Sequence, residues 1–232
     1  MKLLLSNARD FKRAVDSLRD LVHELYFHAT PEALVAHAET DGVSITATFK
    51  GDYEDSGESF GISADALSRL IRSATAQQKV CLTLQDYDLC GEIYTDTYAT
   101  RFRLATLNMS TPKLPKVEEL IPCGRATLRT DHLRTLVRNL RHVERVLIEL
   151  KGDALLMSGE SDHTSGEIVT TEIQARGTGS GVYALNHIQH FLKSQHVSPE
   201  VTIAFWKGQI SLCMEGDITL KLMQKEKLFC SQ

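Results

Sequence analysis

Ten Lys and Arg residues of this 232-residue chain fall in four short stretches, and their spacing is that of helix faces. Lys12 and Arg19 are seven apart, Arg69 and Arg72 three apart, and Arg134, Arg138 and Arg141 four and three apart. Residues at those intervals stand on one side of a helix, so each set offers a row of cations away from an apolar stripe. Cations without interleaved aromatic rings suit contact with phosphate oxygens rather than base reading or stacking on single strands. The four stretches hold five acidic residues against the ten basic ones, whereas the rest of the chain holds 25 acidic and 16 basic. One such helix is ordinarily a solvated face. Four biased alike, in a chain of net charge -4, point to duplex phosphates contacted without sequence preference.

Other groups with chemical potential lack partners. The RGTGSG stretch at 176–181 lacks GxGxxG spacing and runs into strand-like GVYA before any helix, so it reads as a loop. His187 and His190 are three apart on one helix, but no Cys or carboxylate accompanies them at metal-ligand spacing. Glu160, Asp162 and His163 flank Ser161 in a Gly- and Ser-rich turn, and neither Ser59 nor Ser161 sits in a GxSxG elbow. The five cysteines, Cys81, Cys90, Cys123, Cys213 and Cys230, are odd in number and form no CxxC pair, which predicts reduced thiols inside a cell and no structural zinc. Neither an enzyme nor a cofactor nor a metal is expected.

The elements that must position the cations follow from periodicity. Apolar residues recur at helical spacing over 8–22 (Phe11, Val15, Leu18, Val22), 64–74 (Leu67, Leu70, Ile71, Ala74), 130–143 (Leu133, Leu136, Val137, Leu140) and 185–195 (Leu185, Ile188, Phe191, Leu192). Asn7, Ser63 and Thr130 are the expected N-caps of the first three. Period-two alternation predicts strands over 43–49, 80–85, 201–205, 210–214 and 218–222, with turns at Lys207-Gly208 and Gly216-Asp217. The first and second helices start 56 residues apart and the third and fourth 55, so the chain reads as duplicated. A shift of 122 lays Phe11 on Leu133, Val15 on Val137 and Arg19 on Arg141, and a shift of 121 lays Arg72 on Lys193. Three of the five prolines lie between the halves, which predicts similar domains at 1–107 and 124–232 joined by an extended connector at 108–123. The opening MKLLLS is too short an apolar run for a signal peptide, and no run approaches a membrane span.

Together these features resemble the proliferating cell nuclear antigen (PCNA) type of DNA sliding clamp, nearly end to end. KRAVDSLRDLV at 12–22 resembles the family's basic first helix, SADALSRLIRSA at 63–74 its second, VRNLRHV at 137–143 its third, and YALNHIQHFLKS at 183–194 its fourth. VEELIP at 117–122 resembles its interdomain loop, without the glycine usual between Leu and Ile.

The resemblance implies an α+β DNA clamp fold, with two similar domains each carrying two helices on antiparallel sheets. Three chains would form a six-domain ring around duplex DNA. Positions matching the family's phosphate contacts are Lys12, Arg13, Arg19, Arg69, Arg72, Arg138 and Lys193, and the internal repeat adds Arg134 and Arg141. Partners would be double-stranded DNA, DNA polymerase and other clamp-binding proteins, a clamp loader and further copies of the chain. Client motifs would dock at Ala38, Val43, Ile45, Leu120, Ile121, Pro122 and Met223; Val43 and Ile45 read equally as core. The tail KEKLFCSQ departs from the Ala-Pro-Lys ending typical of the family. Subunits would close through edge strands near 101–107 and 166–173, and the location would be intracellular, at sites of replication. The alternative is a clamp-fold polymerase accessory subunit acting as a monomer, a dimer or a heterotrimer member.

Overall fold

The computed structural model describes residues 1–40, 42–54, 58–109, 121–161 and 164–226. They form two compact units, Met1–Thr40 with Ile45–Leu114 and Gly216–Leu220, and Asp41–Ser44 with Pro115–Glu215 and Lys221–Gln232. Elements of the first half run β1 (Lys2–Leu5), α1 (Ala8–Arg19), β2 (Glu24–Ala29), β3 (Leu34–Thr40), β4 (Val43–Phe49) and β5 (Asp52–Glu54). After them come β6 (Ser59–Ser63), α2 (Ala64–Leu70), β7 (Lys79–Gln85), β8 (Asp88–Tyr94) and β9 (Ala99–Ala105). The second half begins with β10 (Gly124–Arg129), α3 (Thr130–Asn139), β11 (Arg145–Lys151), β12 (Ala154–Glu160), β13 (Ser165–Thr170) and β14 (Gln174–Gly177). It continues through β15 (Gly179–Ala184), α4 (Leu185–Phe191) with a 3-10 turn at Leu192–Ser194, β16 (Glu200–Trp206), β17 (Gln209–Met214) and β18 (Ile218–Lys225).

Strand pairing repeats the duplication seen in the helices. In the first unit the strands order as β5-β1-β7-β8-β9 and β4-β3-β2-β6; in the second as β14-β10-β16-β17-β18 and β13-β12-β11-β15. Adding nine to every strand number of the first set produces the second. The helix starts repeat as well, because each helix's first backbone N–H donates to a carbonyl just ahead of a strand. Ala8 bonds Gln78 and Thr130 bonds Pro199, ahead of β7 and β16; Ala64 bonds His23 and Leu185 bonds Glu144, ahead of β2 and β11. An orphan donor at a helix N-terminus is thereby satisfied, and the helix is pinned to its sheet.

The helices bury the stripes that their periodicity marks, among them Phe11, Val15 and Leu18 on α1 and Leu133, Val137 and Leu140 on or just after α3. In the first unit four aromatic rings join helix to sheet. Phe11 meets Phe49 at 5.3 Å between centroids, and Phe27 stacks on both Phe49, at 6.4 Å, and Phe60, at 5.3 Å. Asn7 caps α1 by accepting from the N–H groups of Arg9 and Asp10, at 3.1 and 3.3 Å, and Ser63 caps α2 through Ala66 at 3.2 Å. Each such cap stabilises its helix by about 1 kcal/mol.

Three sequence-based expectations need adjusting. Thr130 is not the cap of α3: Arg129 occupies that position without a side-chain bond, and Thr130 is the first helical residue. The Thr130 N–H reaches Pro199 instead, so backbone pairing between β10 and β16 sets where the helix begins. RGTGSG is not a loop, since all but Thr178 lies in β14 and β15, with Gly177 at φ +75 making the bend. The helices also end sooner than their apolar periodicity, because residues such as Val22, Ala74 and Val143 continue it in the turns that follow.

Candidate nucleic-acid interface

Within the second unit, α3 and α4 pack together. Their apolar stripes face inward, so Arg134, Arg138, Arg141 and Lys193 remain exposed. These four side chains line one cleft of about 290 Å³ floored by Val137 and Leu192. Among the described residues no carboxylate forms an ion pair with Arg134, Arg138 or Arg141. The acid at the start of α3, Asp131, is held by Arg129, whose Nε and Nη2 donate to its two oxygens at 3.1 and 2.6 Å. That hydrogen bonding holds the Asp131 carboxyl below the usual carboxylate range. Asp131 is thus engaged by its own cation, outside the cleft lining.

The helix pair of the first unit is arranged differently. Arg19 on α1 donates from Nη1 to Ser68 Oγ on α2 at 2.8 Å and from Nη2 to Asp20 at 3.0 Å. Ser68 in turn donates to Asp16 at 2.7 Å, and the Arg19 guanidinium lies 3.5 Å from that same carboxylate. The Asp20 hydrogen bond raises the Arg19 pKa; partial burial opposes it, while the charges of Asp16, Asp20 and Asp65 reinforce it. Arg19 therefore ties α1 to α2 with its charge already compensated. Arg13 is partly buried, which lowers its pKa; neighbouring Arg9 lowers it further and Asp10 opposes both. Lys12 is half-buried, whereas Arg69 and Arg72 on and beside α2 are exposed.

The residues expected to receive client motifs divide by burial. Ala38, Val43 and Ile45 are all core, the last 1% exposed. Ile121 is 89% exposed. Pro122 and Met223 are half-buried, and Leu120 lies outside the described residues.

Of the remaining groups, Ser161 and Thr164 close a turn between β12 and β13, while Asp162 and His163 lie outside the described residues. No cluster of three or more His, Cys, Asp or Glu side chains gathers as a metal site among the described residues. Cys81, Cys90, Cys123 and Cys213 carry free thiols, and burial pushes the Cys81 and Cys213 thiols up from their ordinary range. No helix among the described residues is long and apolar enough to cross a membrane.

Among the described residues the sheets end in β5 and β9, in β14 and β6, and in β13 and β15; of these terminal strands β9 pairs with β8 and β13 with β12. Gly91 of β8 lies opposite Phe102 of β9, and any Cβ there would collide with the Phe102 ring, so the absent side chain lets the edge strand seat its aromatic residue.

No protein-family model matches the chain. A curated relative, DNA polymerase sliding clamp 3 of Aeropyrum pernix, is 26% identical over 220 residues, which cover 88% of each protein. Among solved structures, the crystal structure of proliferating cellular nuclear antigen from Entamoeba histolytica superposes with a TM-score of 0.87 at 14% identity, covering 98% of each chain. The PCNA-like fold expected from the four helix motifs is therefore the fold of this chain, with helices and antiparallel sheets arranged in the same way.

Proposed function

We propose that this chain is the subunit of a DNA sliding clamp, a processivity factor that encircles duplex DNA and tethers DNA polymerase and other replication or repair proteins. The observation that carries this reading is the row of exposed arginines, Arg134 and Arg138 on α3 and Arg141 just beyond it, along a cleft whose lining includes no Asp or Glu among the described residues. Likeness to a curated sliding clamp along most of the sequence supports it. Three copies close into a ring of six similar domains, twelve helices line its hole, and the chain works inside the cell at sites of replication.

The mechanism is topological. Contacts between arginine or lysine and phosphate oxygens are long-range, repeat along the duplex and exchange readily with counterions, so no single position on the DNA is preferred. A ring held by many such contacts slides, while release from a closed circle requires an interface to open. The acidic remainder of the chain disfavours DNA on other surfaces and biases passage toward the helices. No bond is made or broken in this reading, so no catalytic residue is assigned.

Subunits join by pairing open strand edges, β9 of one copy with β13 of the next, which removes two unpaired edges at each junction. A clamp loader opens one junction. Clients dock short hydrophobic motifs at Leu120, Ile121, Pro122 and Met223, with Ile121 the exposed apolar contact, while Ala38, Val43 and Ile45, being core, shape the surface from beneath. Sedimentation equilibrium at micromolar concentration tests the assembly. The expected mass is three times the 25.9 kDa of one chain; a single-chain mass at that concentration overturns the homotrimer.

A further inference from the structure

We propose that the phosphate-contacting surface of the second unit runs past α3 onto the sheet and takes in Arg145, making Arg134, Arg138, Arg141 and Arg145 one track for a duplex strand from which Arg19 of the first unit is excluded. The proposal rests on the clamp reading and adds to it an asymmetry between the halves of the chain.

The spacing of the four arginines is four, three and four, although the helix ends at Asn139 and Arg145 opens β11. Beyond the helix end that spacing fixes no common face, and what joins Arg145 to the row is its place in space. A second cleft, of about 420 Å³, shares Arg141 and Gln189 with the first and is lined further by Glu144, Arg145, Ala184 and Asn186. Arg145 is exposed, and among the described residues no carboxylate forms an ion pair with it. Its register partner is Ala184, two residues before Asn186, whose amide supplies a neutral hydrogen-bonding group on the same wall. Glu144 is the one acid of that lining, and its backbone carbonyl is held by the Leu185 N–H.

The repeat sharpens the contrast. β2 and β11 occupy the same place in their units, and the residue that opens β2 is Glu24 where β11 has Arg145. The place of Arg141 is taken in the first unit by Arg19, which is bound to Ser68 and Asp20. One unit thus ends its row with a compensated cation and an acid, and the other with two further cations. A phosphate backbone would follow the second.

The test is a salt titration of binding to a fluorescein-labelled duplex of mixed sequence, read by anisotropy, for the full-length wild type and single variants. Removing one cation that touches a phosphate flattens the plot of log affinity against log salt by about 0.9. Arg145→Gln and Arg141→Gln are each expected to flatten it by that amount, Arg145→Lys to keep the wild-type slope, and Arg19→Gln to leave it unchanged. A wild-type slope for Arg145→Gln, or an equal flattening for Arg19→Gln, overturns the track while leaving the clamp reading in place. Absence of duplex binding by the wild type at any salt overturns both.

Discussion

Proline at Ile168 and proline at Val169 are expected to act oppositely, one dissociating the assembly and the other weakening the unit that carries it. Along a strand successive backbone N–H groups point to opposite sides, so of these two neighbours in β13 one donates toward β12 and the other toward the open edge. Proline removes the donor and adds bulk in its place. Where the missing N–H faces outward, the unit keeps its own ladder and only pairing with another copy suffers. That variant should sediment as a single chain of 25.9 kDa and unfold at the wild-type temperature. Its neighbour should lose stability whether or not copies assemble. If both variants retain the assembled mass and the wild-type unfolding temperature, β13 is not the closing edge.

The largest effect on folding is expected from Phe27→Ala. Phe27 is fully buried and stacks on two rings at once, those of Phe49 and Phe60, and Phe49 in turn seats Phe11 of α1. Removing a buried phenyl group takes away its transfer free energy and leaves a cavity that rigid neighbours close only in part, about 3–5 kcal/mol in comparable cores. Against a total of roughly 5–15 kcal/mol for a domain, that is a large fraction. Urea unfolding monitored by circular dichroism should show the loss as a shift of the first unit's midpoint. A change below about 1 kcal/mol would mean that the four rings do not act as a packed cluster. Since α1 rests on this cluster, the substitution should also loosen the Arg19–Ser68 tie that joins the first unit's helices.

The four helices were legible in the sequence because each buries an unbroken stripe at 3.6-residue spacing, a signal set by local geometry. Duplication was legible for the same reason, as the stripes and the cations recur at one offset. Caps at Asn7 and Ser63 followed from residue type; Thr130 did not, because long-range pairing of β10 with β16 decides where α3 starts, and no local pattern carries that information. The compensated state of Arg19 was also hidden. Its partner Ser68 lies 49 residues away, so the spacing that puts Arg19 on a helix face says nothing about what faces it. Arg145 was missed for a related reason: a search by helical stretch stops where the helix stops, whereas the cation row does not. RGTGSG misled through its glycines, which in β14 and β15 serve a bend and close strand packing rather than an irregular loop.

Encirclement is the claim on which the rest depends, and retention on DNA of two topologies tests it most directly. Chain loaded onto nicked circular duplex, then moved into salt high enough to abolish binding to a short linear duplex, should remain with the circle and be released once the circle is cut. Equal release from intact and cut DNA would contradict a closed ring.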